Sequence, residues 1–234
     1  MKTILALDTS TELASLALRR GGELIWEKEI PSQRSHSVAL FPALQEAARE
    51  VARIDCIAVG LGPGSFAGIR IAIAAALGLQ AAWECELVGM PSVLGLDSCS
   101  SSFVALGDAR RGAWYFSKVT DGECVEGPCL LEDDQSLQEA LQKAGLDLAS
   151  KSRGSGAGSE PLPNAEAGLG LILTTDAAAI RWGAELRSPK ARVLAELASI
   201  NRGILQRDQL EPLYLREPYI TVPKKTPLTP RSVH

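Results

Sequence analysis

Residues 3–30 hold three strand-like segments joined by short turns, and this opening limits the fold more than any other feature of the chain. Residues 3–8 (TILALD) are a continuous apolar run of the buried-strand kind. Residues 13–19 (LASLALR) alternate, and after the turn signal Arg20-Gly21-Gly22-Glu23, residues 24–30 (LIWEKEI) alternate again. A helix is expected over 35–53, where Leu40, Phe41, Leu44, Ala47, Ala48 and Val51 share one stripe. A buried strand over 55–60, a glycine-rich turn, a helix over 65–82 with Ser65 as N-cap, a strand over 86–90 and a short helix over 92–98 follow. The order β-β-β-α-β-α-β-α predicts a mixed sheet with helices against it.

The pattern then restarts. Residues 103–108 (FVALGD) echo residues 4–8 (ILALD), each run ending in Asp, and residues 114–119 (WYFSKV) follow at a strand's distance. Two related halves are expected, the second shorter. Residues 121–134 are acidic and read as a solvated loop or edge. A short helix over 135–144, a Gly/Ser/Pro-rich loop over 151–164, a strand over 171–175, an amphipathic helix over 190–202 and an extended end over 211–234 complete the reading. The expected division is 1–100 for the first half, 101–216 for the second and 217–234 for a tail.

Composition narrows the function classes. Lys plus Arg number 24 and Asp plus Glu 28, for a net charge of −4, which argues against a strongly basic nucleic-acid binder. The five cysteines form no CxxC pair, and Met1-Lys2 leads directly into a strand, so a reducing cytoplasm is expected. The two histidines, His36 and His234, leave little for a Ser-His-Asp device or a His-rich metal site.

The helix over 65–82 is apolar all round apart from Arg70 and Gln80. It is expected in a soluble protein, with both sides covered, rather than in a membrane. On its wheel Phe66, Ile69, Ile73 and Leu77 form a large-residue stripe expected to pack on the sheet. Ala67, Gly68, Ile71, Ala75, Gly78 and Ala82 lie opposite, a small-residue face open to close approach by another helix.

Three segments can carry chemistry. Asp8-Thr9-Ser10-Thr11 closes the first strand with an acid, hydroxyls and backbone amides, a combination that serves either a phosphate loop or a self-satisfied polar turn. Gly60 to Gly68 joins a strand to a helix, but it has no Lys and is not a Walker loop, and it contains no G-x-S-x-G elbow. Asp108-Ala109-Arg110-Arg111-Gly112 ends a strand as Asp8 does and can contact an anion or close a surface turn.

Taken together, ILALDTST (4–11), RSHSVALFP (34–42), GPGSFAGIR (62–70), DARRG (108–112) and PLYLR (212–216) resemble, in order and spacing, the bacterial TsaB (YeaZ) family. The resemblance implies an ASKHA fold of two ribonuclease-H-like halves, with mixed sheets flanked by helices. It implies a non-catalytic scaffold for a TsaD-like transferase in threonylcarbamoyladenosine modification of tRNA. A TsaE-like ATPase is a further partner, tRNA is reached through the complex, and the chain alone forms a homodimer. Docking through the first two helices makes Leu40, Leu44, Ala67, Gly68, Ile71, Ala75, Gly78 and Ala82 the expected partner-binding residues. Asp8, Thr9, Ser10, Asp108 and Arg110 remain candidates for phosphate loops. No cofactor or metal is expected: the stretch 90–100 lacks the His-x-x-x-His of TsaD, and Ala67 stands where the family usually has Thr. The alternative is an ATP-binding enzyme of the same fold, with Asp8 and Asp108 at its phosphate loops.

Overall fold

The computed structural model describes residues 1–31, 36–146 and 170–216. The loop over 151–164, the tail over 217–234 and His234 lie outside the described residues. The first half runs β1 (Thr3–Asp8), β2 (Leu13–Arg20), β3 (Glu23–Pro31), α1 (His36–Arg49), β4 (Cys56–Gly60), α2 (Phe66–Trp83) and β5 (Glu86–Met90). The second runs β6 (Ser102–Asp108), β7 (Trp114–Thr120), β8 (Glu123–Leu131), α3 (Asp134–Lys143), β9 (Ile172–Thr174) and β10 (Glu185–Leu186). After it come α4 (Ala191–Ser199) and β11 (Gln206–Arg207).

The two sheets have the orders β11-β5-β4-β1-β2-β3 and β10-β9-β6-β7-β8. In each, a three-strand antiparallel meander continues into parallel strands on the other side of its first strand. The echo between residues 4–8 and 103–108 is therefore a structural repeat: β1 and β6 hold the same place in two ribonuclease-H-like halves. The second half is shorter because a single 3-10 turn (Ala177–Trp182) stands where the first half has the 18-residue α2. The acidic stretch after Asp121 is the edge strand β8, paired on one side only. The helix expected over 92–98 is a 3-10 turn, Ser92–Gly95.

Strand alternation sorts the core into layers. Leu5, Leu7, Leu16, Leu18, Ile57 and Val59 face α1 and α2. Ile4, Ala6, Ala17, Ala58 and Val88 face the other way, meeting Phe103, Ala105, Tyr115 and Leu173 of the second sheet and Leu194 and Ala195 of α4. Val104, Leu106, Trp114 and Phe116 turn outward under Leu137 and Leu141 of α3. α4 is thus an interlayer helix, fastened by Ala191 N–H donating to Ser15 Oγ at 2.8 Å and by ion pairs from Lys190 to Glu29 and from Arg192 to Asp97. Since β11 pairs with β5, the end of the described chain returns to the first sheet.

α2 meets the length and apolarity of a membrane span, with a mean hydropathy of 1.5 over its 18 residues. Packing on β4 and β5 covers one side only, with 33% of those residues buried, so the expectation that both sides are covered is corrected: the outer side is open in the chain alone. The face it buries holds half of the expected stripe, Ile69 and Ile73. Gly68, Ile69, Ala72, Ile73, Ala75 and Ala76 are buried, whereas Phe66 and Leu77 are 48% and 43% exposed. Gly68, Ala72 and Ala76 recur every four residues, and such a small edge lets the helix lie close over the strands.

Candidate functional site

Two concavities contain the expected residues. The first is a cleft of about 1190 Å³ between the halves, walled by the ends of β1 and β6, the loop before α2 and residues 212–216.

At the β1 end, Asp8 is fully buried and its Oδ1 accepts from Ser10 N–H at 2.9 Å and Ser10 Oγ at 2.6 Å. Thr9 Oγ1 donates to the Gly68 carbonyl at 2.7 Å, and Ser65 N–H to the Ser10 carbonyl at 2.6 Å. The glycine-rich loop exists to let this turn in. A Cβ on Gly60 would overlap the Asp8 carboxylate, on Gly64 the Ser10 carbonyl, and on Gly68 the Thr9 carbonyl. Asp8, Thr9 and Ser10 are brought together, and the candidate phosphate turn folds onto the glycine-rich loop. Ser65 caps α2 through its bond from Gly68 N–H at 3.2 Å.

On the opposite wall Asp108 Oδ1 accepts from Arg110 N–H at 2.6 Å, holding a turn in which Arg110 and Arg111 take φ of 69° and 58°. Asp108 and Arg110 stand together here, across the cleft from Ser10. The Tyr115 hydroxyl pairs with Thr175 Oγ1 at 3.0 Å, and burial pushes its phenol up to about 12. Glu12, Asp108 and Asp176 outnumber Arg110 and Arg216 on the walls, so a polyphosphate would need a bridging cation here. Among the described residues no three of His, Cys, Asp and Glu come together as a metal-holding group.

The second concavity is an apolar groove of about 540 Å³ between α1 and α2, lined by Phe41, Leu44, Gln45, Ala48, Ile71, Ala74, Ala75, Gly78, Leu79 and Trp83. Four of the expected partner residues, Leu44, Ile71, Ala75 and Gly78, meet here, while Ala67 and Ala82 are exposed on α2 outside its lining. Leu40 and Gly68 are corrected. Leu40 is fully buried in the core beneath α1, and Gly68 is packed on Thr9, so neither presents a surface. Phe41, Gln45, Ala48, Ala74, Leu79 and Trp83 line the groove without being among the expected partner residues. Phe41 and Ala48 had been visible in the α1 stripe. Ala74, Leu79 and Trp83 depend on the rotation of α2, which its wheel did not resolve. Phe41 is 56% exposed at the rim, and a Cβ on Gly78 would meet nothing within 4 Å, so the floor at Gly78 is open to a neighbour.

Comparison with known proteins now bears on these sites. The family model "TsaD: tRNA N6-adenosine threonylcarbamoyltransferase" matches residues 30–150, just over half of the chain. The chain is 33% identical over 127 residues to the tRNA threonylcarbamoyladenosine biosynthesis protein TsaB of Haemophilus influenzae, covering 50% of this chain and 53% of that protein. It is 31% identical over 130 residues to the Escherichia coli protein of the same name, covering 51% and 56%. The chain belongs to the TsaB/YeaZ family. It spans about half the length of these curated relatives. A solved Pseudomonas aeruginosa structure, described as an uncharacterized protein with similarity to peptidase YeaZ, is 25% identical with a TM-score of 0.67, covering 92% of this chain and 100% of that one. A second, YeaZ from the same organism, has a TM-score of 0.64 at 24% identity and supports the fold. The fold is the ASKHA arrangement of two mixed sheets flanked by helices. The matched segment 30–150 contains α1, α2 and the groove between them, as well as the Asp108 turn.

Proposed function

We propose that this chain is a non-enzymatic subunit of the cytoplasmic machinery that makes threonylcarbamoyladenosine in tRNA, and that its α1/α2 face holds a TsaD-like transferase. The names of the relatives in H. influenzae and E. coli support the pathway. The observation that carries the scaffold reading is the apolar groove, whose rim residue Phe41 and floor residue Gly78 are open to a second helix layer. Without that partner, a second copy of the chain occupies the same face. A TsaE-like ATPase and tRNA join through the assembled complex.

The non-enzymatic part rests on the β1 turn. The Asp8 carboxylate is buried and engaged by Ser10, and the glycine-rich loop is filled by the chain's own Thr9 and Ser10. The burial of Asp8 counts against the alternative of an ATP-using enzyme, which needs the Asp8 carboxylate open to the cleft for a phosphate-bound cation.

The test is co-expression of the tagged chain with the TsaD-like transferase of the same genome. The wild-type chain is expected to retain the transferase, and Gly78→Arg, folded with a melting temperature no lower than the wild type's, to elute without it. A wild-type chain that captures no transferase would remove the scaffold reading, and equal capture by Gly78→Arg would remove the groove from it. The isolated chain is expected to hydrolyse ATP far below an ordinary enzymatic turnover of about 1 per second. Turnover at that rate, abolished by Asp8→Ala, would favour the enzyme.

A further inference from the structure

Residues 212–216 touch both halves of the molecule within five positions, and all five line the cleft between them. The segment leaves β11 at the edge of the first sheet, where Leu210 lies against Gly89 and Leu213 N–H donates to the Leu61 carbonyl at 2.9 Å. The side chain of Leu213 packs on the core under α1 and α2. Tyr214 stacks on Phe66, the first residue of α2, with ring centroids 5.3 Å apart and planes tilted by 31°. The Arg70 guanidinium lies 5.2 Å from the centre of the same Phe66 ring. Leu215 packs on the core between the sheets. Arg216 reaches the second half, donating to the Arg110 carbonyl at 3.4 Å and to Glu132 at 3.2 Å.

We propose that residues 212–216 are a strap that fixes the opening of the cleft and ties it to the first turn of α2. One end is held by a backbone bond, the half-buried Leu213 and an aromatic stack. The other is held by one arginine on the β6–β7 turn and the end of β8. Movement of the second half therefore pulls on Tyr214, and Tyr214 bears on Phe66. The stack also explains why Phe66 sits away from the sheet: its partner lies along the strap.

The strap is tested on the isolated chain and is independent of what docks on the groove. Spin labels on Glu50→Cys and Gln138→Cys, both exposed and outside the strap, report the distance between the halves. Exposed Cys99 is first replaced by Ser, the other cysteines being buried or half-buried. Tyr214→Ala and Arg216→Ala are each expected to broaden the distance distribution, and Tyr214→Phe, which keeps the ring, to retain it. Amide exchange in the first turn of α2 is expected to rise about two- to fivefold in Arg216→Ala, the scale of losing one exposed ion pair. That readout is decisive, because Arg216 contacts the second half and not α2. An unchanged distance distribution in both alanine variants, or wild-type exchange in α2 for Arg216→Ala, would overturn the strap.

Discussion

Gly68 lies against Thr9 so closely that a Cβ on the glycine would overlap the threonine carbonyl, while Thr9 Oγ1 donates back to the Gly68 carbonyl at 2.7 Å. This contact joins the two sequence blocks, DTST and GPGSFAG, that point to the family. It makes the glycine-rich loop a packing joint between β1 and α2.

A pair of substitutions in one helix separates packing from exposure. Gly68→Ala gains at most about 1 kcal/mol of helix propensity. It must also displace backbone, which costs about 1–3 kcal/mol, so the sterics win and the variant is destabilised. Gly78→Ala meets no neighbour within 4 Å and keeps only the gain, about 1 kcal/mol. Thermal melting is expected to show opposite shifts, roughly 2–4 °C for each kcal/mol in a domain of this size. A stabilised Gly68→Ala would mean that the β1 turn yields easily.

The groove gives a second contrast. Ala75 is 7% exposed and belongs to the core under α1 and α2, whereas Ala74, next to it in sequence, is exposed. Ala75→Arg buries an unpaired charge and is expected to lower stability by several kcal/mol. Ala74→Arg is expected to melt like the wild type yet to run as a monomer on size exclusion where the wild type runs as the proposed dimer. A dimeric Ala74→Arg would put the self-association surface elsewhere.

Much of this architecture was legible because buried strands leave a simple trace. The runs at 3–8, 56–60 and 103–108 are apolar on both faces, since each lies inside a covered sheet, and the Asp at the end of two of them marked the repeat. The orientation of α2 was not legible. With alanine, isoleucine and leucine on every side, its wheel has no polar face to mark the outside, and ranking by size grouped Ile69 and Ile73, which are buried, with Phe66 and Leu77, which the sheet does not cover. Phe66 is held outward by Tyr214, 148 positions later in the chain. β8 was legible only as a loop or an edge, for a related reason: an edge strand exposed along much of its length carries Glu, Gly and Pro where an inner strand carries Val and Leu. The Gly60, Gly64 and Gly68 contacts depend on a partner more than fifty residues away, so the local sequence does not show what each glycine makes room for.

The cysteines are expected to differ in reactivity while remaining reduced. Burial pushes the Cys56 thiol up to about 12 and raises Cys85, Cys124 and Cys129 above the usual range. Cys99 is exposed. At pH 8 a thiol reagent should modify Cys99 first, and Cys56 only after denaturant is added. Rapid modification of Cys56 in the native protein would show that the β4 layer opens.

Acid should loosen the joint between the start of β1 and the β5–β11 edge. Glu86 accepts from Lys2 Nζ at 2.8 Å and pairs with Arg207 of β11, so one carboxylate links β1, β5 and β11. The Lys2 hydrogen bond, the charge of Lys2 and that of Arg207 hold the Glu86 carboxyl below its ordinary value of 4.5. The folded value is therefore depressed, and as pH falls the unfolded chain takes up this proton first. Stability from Glu86 is fully present above the unfolded value and is lost as pH falls through the lower, folded one. Glu86→Gln removes the charge at every pH. Urea melts of the two proteins should differ at pH 7, with the wild type more stable, and converge as pH falls through the depressed folded value of Glu86. The groups are partly exposed, so the difference should be small and should shrink in high salt. If the two proteins differ equally at pH 7 and pH 3, the contribution of Glu86 lies in packing rather than in its charge.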